Sequence, residues 1–94
     1  MRYKLSYKAK RDLARIYWRG VKEFGELQAN HYYEALSQRF ADITEAPYKY
    51  PSVDHIREGY RRSVCGADSI YYRVNGEVIE IMRLLGRQDA AEQL

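Results

Sequence analysis

The chain begins with a short alternation. Residues 2–6 place Tyr3 and Leu5 on one side of an extended segment and Lys4 on the other, which predicts a strand. Ser6 has the character of a helix N-cap, its hydroxyl able to accept from an otherwise orphan backbone N–H. From there Ala9, Leu13, Ile16, Gly20 and Phe24 recur at spacings of four, three, four and four, which is one face of a helix. Gly25 is a natural stop, because glycine adopts the left-handed backbone that follows a last helical turn. A second stripe follows almost at once. Ala29, Tyr33, Leu36, Phe40 and Ile43 repeat at four, three, four and three, with Gln28, Glu34, Gln38 and Arg39 outside it. Pro47 ends this helix by disfavouring helical geometry in the residue before it. The link at Gly25-Glu26 is short enough to predict an antiparallel helical hairpin. Gly20 lets the helices approach closely, at a cost of roughly 1 kcal/mol of helix propensity relative to alanine.

Residues 47–59 read as a long connecting loop. After it the pattern becomes β-branched and aromatic over 60–65, 69–74 and 77–85, predicting three strands. Gly66-Ala67-Asp68 separates the first two, and Asn75-Gly76, a strong hairpin signal, separates the last two. A short tail that reads as helical runs over 87–94. The order is β-α-α-β-β-β with helices grouped and strands grouped. That predicts an α+β fold with one helical hairpin packed on an antiparallel sheet. At 94 residues the chain has room for a single domain, 1–94, and no internal repeat is visible.

Composition narrows the class. With 46% hydrophobic and 31% charged residues, and with only two prolines and six glycines, the sequence reads as globular rather than disordered. No apolar run approaches a membrane span, and Met1-Arg2-Tyr3-Lys4-Leu5-Ser6 lacks the apolar core of a signal peptide. A single cysteine, Cys65, supports neither an intrachain disulfide nor a metal site with two distant histidines. The expected location is therefore the cytoplasm, with no metal and no cofactor. The net charge of +3 is unevenly spread. Residues 1–22 hold eight cations against Asp12 alone, a net of +7, whereas residues 23–58 hold three cations against seven carboxylates, a net of −4. Such asymmetry implies an acidic partner for one end of the molecule.

Catalytic candidates are few. His31 lies off the apolar stripe of the second helix and reads as structural or exposed; His55 lies in the loop with no partner nearby in sequence. Cys65 closes a strand and reads as a small packed hydrophobe. Glu77 and Glu80 stand an odd number of residues apart on one strand, so they face opposite ways. There is no glycine-rich phosphate loop and no HExxH. The arginines carry more promise. Arg61, Arg62, Arg73, Arg83 and Arg87 fall on or beside the last three strands, among Tyr60, Tyr71 and Tyr72. Guanidinium groups match carboxylate and phosphate geometry through paired donors, so arginines from three strands suit an anion or an acidic peptide. Arg11 and Arg15 add to this from the first helix.

Taken in order, three runs resemble the ParE branch of the RelE/ParE toxin superfamily. They are Ile56-Arg57-Glu58-Gly59-Tyr60-Arg61-Arg62, Ile70-Tyr71-Tyr72-Arg73-Val74 and Val78-Ile79-Glu80-Ile81-Met82-Arg83-Leu84-Leu85. Leu5-Ser6, Ala9, Asp12-Leu13, Ile16-Tyr17, Phe24-Gly25, Gln28-Ala29 and Tyr32 are similar to that branch as well. The resemblance spans nearly the whole chain and implies the same β-α-α-β-β-β fold. It further implies the toxin of a type II toxin–antitoxin pair, a non-enzymatic poison of DNA gyrase neutralised by a ParD-type antitoxin. On that expectation Arg11, Arg15, Arg61, Arg62, Arg73, Arg83 and Arg87 serve antitoxin or target binding. Antitoxin is expected in the groove beside the helical hairpin together with the sheet, and DNA is contacted only indirectly, through antitoxin or gyrase. The sister branch, ribosome-dependent RelE-type endoribonucleases, is the alternative. That branch often places a His or Tyr near the C-terminus for acid or base work, and residues 86–94 contain neither.

Overall fold

The computed structural model describes residues 1–87 and 90–94. The elements follow the predicted order: β1 (Arg2–Leu5), α1 (Tyr7–Phe24), α2 (Glu26–Glu45), β2 (Tyr60–Cys65), β3 (Asp68–Asn75) and β4 (Val78–Leu85), with a last turn of helix, α3 (Ala90–Gln93). The predicted tail helix is present over Ala90–Gln93, and Gln88 and Asp89 lie outside the described residues. Ser6 caps α1 as expected. Its Oγ accepts from the Ala9 N–H at 3.0 Å and donates to the Met82 carbonyl at 2.8 Å, so the cap also ties the helix to the sheet. Gly25 alone joins the two helices. At φ +90° its N–H closes α1 on the Val21 carbonyl while its own carbonyl accepts from Ala29 and opens α2. A Cβ at Gly20 would stand 3.4 Å from the Ala29 Cβ, so the close helix crossing expected there is present.

The sheet order is β1-β4-β3-β2. β2–β3 and β3–β4 are antiparallel hairpin neighbours, but β1 runs parallel to β4, from Arg2 opposite Val78 to Leu5 opposite Ile81. The sheet is therefore mixed, not wholly antiparallel as expected. Two helices intervene between β1 and the rest of the sheet, and nothing in the local pattern of residues 2–5 records the direction of so distant a partner. A one-residue register shift faces Tyr71 with Arg83 and Tyr72 with Ile81, leaving Met82 as a bulge. The bulge turns Ile79, Ile81 and Leu84 onto one face despite their uneven spacing.

That face carries the main core. Ile70, Tyr72, Ile79, Ile81 and Leu84 pack against Ala9, Ile16, Leu36, Phe40 and Ile43 of the hairpin. The opposite face is covered too, by a smaller cluster of Val53, Tyr60, Tyr71 and Leu85 joined by Ile56, Met82, Ala90 and Leu94. Residues 47–59 are thus more than a connection. Val53 is buried, its N–H donates to the Tyr60 carbonyl, and the Pro51 carbonyl accepts from the Arg62 N–H, laying the segment along the β2 edge. Among the described residues no helix is long and apolar enough to cross a membrane.

Two positions of the predicted stripes do not join the core. Phe24 is 69% exposed and Tyr33 44% exposed, whereas Asp12 is 5% exposed. Phe24 sits in the final turn of α1 and Tyr33 faces the same open side. Tyr32 turns inward in place of Tyr33: its ring lies over the β2–β3 turn, and its hydroxyl reaches the Cys65 carbonyl at 2.7 Å.

Candidate functional site

Phe24 and Tyr33 belong to a groove of about 1050 Å³ that runs between the helical hairpin, the β2–β3 turn and the end of β4. Leu13, Ile16 and Leu36 line its apolar wall, with Gly20 and Ala29 where the helices cross. Small residues at that crossing let the two helices approach closely. Tyr32 and Asp68 meet in the groove, their hydroxyl and carboxylate oxygens 2.8 Å apart. Burial and the neighbouring Asp68 carboxylate hold the Tyr32 hydroxyl well above its ordinary pKa, so it stays a neutral hydrogen-bonding group. The charged residues of the groove are Arg19, Arg87, Glu23 and Asp68, and His31 also borders it. The arrangement is an open, mostly apolar trough with charges beside it, suited to an amphipathic segment rather than to a small polar molecule.

The arginines singled out in the sequence are placed in several settings, and only Arg87 borders the groove. Arg83 is held by Asp12 through bonds of 2.7 and 3.1 Å, and it also donates to the Gln93 carbonyl. Arg15 donates to the Leu84 carbonyl at 3.2 Å and stands 3.5 Å from Asp12. Arg73 donates to Glu80 at 2.7 Å, with Lys4 3.6 Å from the other oxygen of the same carboxylate. That bond keeps the Glu80 carboxyl below its ordinary range and raises the Arg73 guanidinium. Arg61 donates to the Tyr50 carbonyl at 2.7 Å and lies over the Tyr48 ring. Arg62 is half-buried, with its Nε buried and without a hydrogen-bond partner among the described residues. Arg11 is exposed on α1, beside the Tyr7 ring. The guanidinium groups of Arg73, Arg83 and Arg61 are thus engaged by separate partners and are not aimed at one anion.

Sequence reasoning missed Asp12. It sits beyond the end of β1, where the outer edge of β4 loses its strand partner. There its carboxylate accepts from the Leu84 N–H at 3.0 Å and Arg15 caps the Leu84 carbonyl, so helix side chains finish the ladder. The signal was present: Asp12 falls three residues after Ala9 and four before Ile16, squarely on the buried face. The remaining chemistry is sparse. His31 and His55 are exposed, and Cys65 is buried with its thiol pKa raised chiefly by that burial. Among the described residues no group of three His, Cys, Asp or Glu stands together to hold a metal ion.

Comparison with known proteins gives a consistent answer. Residues 3–91 match the family model described as the ParE toxin of the type II toxin–antitoxin system parDE. Toxin ParE1 of Caulobacter vibrioides is 36% identical over 83 residues, covering 88% of this chain and 85% of that protein. Toxin ParE1 of Mycobacterium tuberculosis is 33% identical over 85 residues, covering 89% of this chain and 87% of its own length. Among solved structures, a chain of the chromosomal ParDE TA system from P. aeruginosa superposes with a TM-score of 0.80 at 24% identity, covering 94% of this chain and 97% of that one. This last likeness establishes the shared fold.

Proposed function

This chain belongs to the ParE toxin family of type II toxin–antitoxin systems, and from that premise we propose that it acts in the cytoplasm as a non-enzymatic poison of DNA gyrase, silenced by a ParD-type antitoxin seated in the groove. The observation that carries the reading is the groove itself. It leaves Phe24 69% exposed and Tyr33 44% exposed along an apolar trough, the surface that an amphipathic helix of a partner covers.

The state of the cations supports a non-enzymatic mode. A ribose-directed nuclease needs a base for the 2′-hydroxyl, free cations for the phosphate and an acid for the leaving oxygen. Arg73 and Arg83, the sheet arginines in the best place for a phosphate, are already closed onto Glu80 and Asp12. An incoming phosphate would have to displace both carboxylates. The exposed histidines sit elsewhere, His31 beside the groove on α2 and His55 in the segment before β2.

The test is neutralisation. Expressed alone, the chain should arrest growth; co-expressed with its ParD-type antitoxin, it should not. Phe24→Glu and Tyr33→Glu place charges on exposed groove positions and should weaken antitoxin binding about tenfold or more, leaving toxicity unrescued. Antitoxin that binds both variants as tightly as the parent would remove the groove from the account.

A further inference from the structure

Setting aside the cations that the fold engages leaves Arg2, Lys49, Arg62 and Arg87 elsewhere and a group of five on one helix. Lys4, Arg15, Arg73 and Arg83 are in ion pairs, and Arg39, Arg57 and Arg61 donate to Val64, Leu94 and Tyr50. Lys8, Lys10, Arg11, Arg19 and Lys22 of α1 are exposed and make no ion pair among the described residues. At 3.6 residues per turn, Tyr7, Arg11, Trp18 and Lys22 fall within a stripe about 60° wide and about 22 Å long. It lies opposite the buried Ala9, Asp12 and Ile16. Lys8 and Arg19 flank it on one side and Lys10 on the other. The two carboxylates of α1 lie off the stripe, Asp12 buried and Glu23 against the groove.

A solvated helix face accounts for lysines but not for the rings between them. Tyr7 is 75% exposed and Trp18 66% exposed. Arg11 stands 5.9 Å from the Tyr7 ring centroid, and Trp18 is set edge-on to Tyr17 at 5.2 Å, an anchored ring with most of its surface open. None of the four stripe residues lines the groove, nor do Lys8 and Lys10; Arg19 alone of these flanking cations does, and it belongs to the trough proposed for the antitoxin.

We infer that the outer face of α1 binds single-stranded nucleic acid, with phosphates on Arg11, Lys22, Lys8 and Lys10 and an unstacked base against Trp18. Cations interleaved with exposed rings match a strand that repeats phosphate and base, and every base offers a face to stack. An acidic protein surface would satisfy the cations and leave the two rings against charge. The contact is direct, unlike the indirect one expected from the sequence, and it does not depend on the groove or on gyrase.

Trp18 is the chain's one tryptophan and therefore a local reporter. The full chain is titrated with 15-nucleotide oligo-dT and oligo-rU, reading tryptophan fluorescence and oligonucleotide anisotropy from 25 to 200 mM salt. Quenching should accompany binding, and the salt slope should be about −2 to −3, the value for three or four phosphates on a single strand. Arg11→Glu, Lys22→Glu and Trp18→Ala should each weaken binding about tenfold, while Lys49→Glu, outside the stripe, should change it less than twofold. Circular dichroism confirms the fold of these exposed-site variants. The dT and rU arms report whether DNA or RNA is preferred. Absence of binding at 25 mM salt, binding indifferent to the charge reversals, or tighter binding of poly-glutamate than of either oligonucleotide would each overturn the inference.

Discussion

At Asp12 a carboxylate 5% exposed takes two bonds from Arg83, one from the Leu84 N–H and the weaker approach of Arg15. Removing it strands a largely buried guanidinium and an unpaired N–H on the open edge of β4. Asp12→Ala should therefore cost about 3 kcal/mol in urea unfolding, a large share of the stability of so small a domain. Tyr72 makes a second residue-scale prediction. Its hydroxyl donates to the Pro47 carbonyl at 2.6 Å, and burial, opposed by nearby Arg61, pushes its pKa up to about 12 from 10.0. The raised value favours the protonated form in the fold. Its stabilisation is complete below pH 10 and is lost as pH rises through about 12. Tyr72→Phe should lower stability by about 1 kcal/mol at neutral pH and flatten the alkaline limb of a pH–stability profile.

At the scale of elements, what is written locally was legible and what is written between distant segments was not. Ser6, Gly25, Pro47 and Asn75-Gly76 each act within a few residues of themselves, and the helix and strand boundaries they imply agree with the structure to within a residue or so. The parallel pairing of β1 with β4 depends on partners more than seventy residues apart. The second cluster depends on Val53 and Leu94 folding back on Tyr60, Tyr71 and Leu85, a meeting that periodicity does not encode. The groove was only half visible. Phe24 and Tyr33 have helical spacing, which reads as core until the sheet is seen to stop short of them. Ser6 joins the local and distant levels, since it caps α1 and donates to Met82 on β4. Ser6→Ala should cost about 1–2 kcal/mol and lower the melting temperature by roughly 5–15 °C. Scanning calorimetry would measure both.

For the molecule as a whole, the apolar groove and the stripe of cations and rings on α1 are different surfaces. The groove beside the hairpin is apolar and bordered by Arg19 and Arg87, while the remaining free cations of α1 point outward. Rim charges act chiefly on encounter. Antitoxin association, followed by stopped flow, should slow severalfold between 50 and 300 mM salt with little change in dissociation. On the proposed reading, this fold poisons gyrase without chemistry of its own. The most direct measurement mixes the purified chain with DNA gyrase, ATP and plasmid, then denatures the protein and resolves the DNA. Supercoiling should be lost, linear plasmid should be released on denaturation, and equimolar antitoxin should suppress both. Normal supercoiling with no linear product at saturating toxin would contradict that reading.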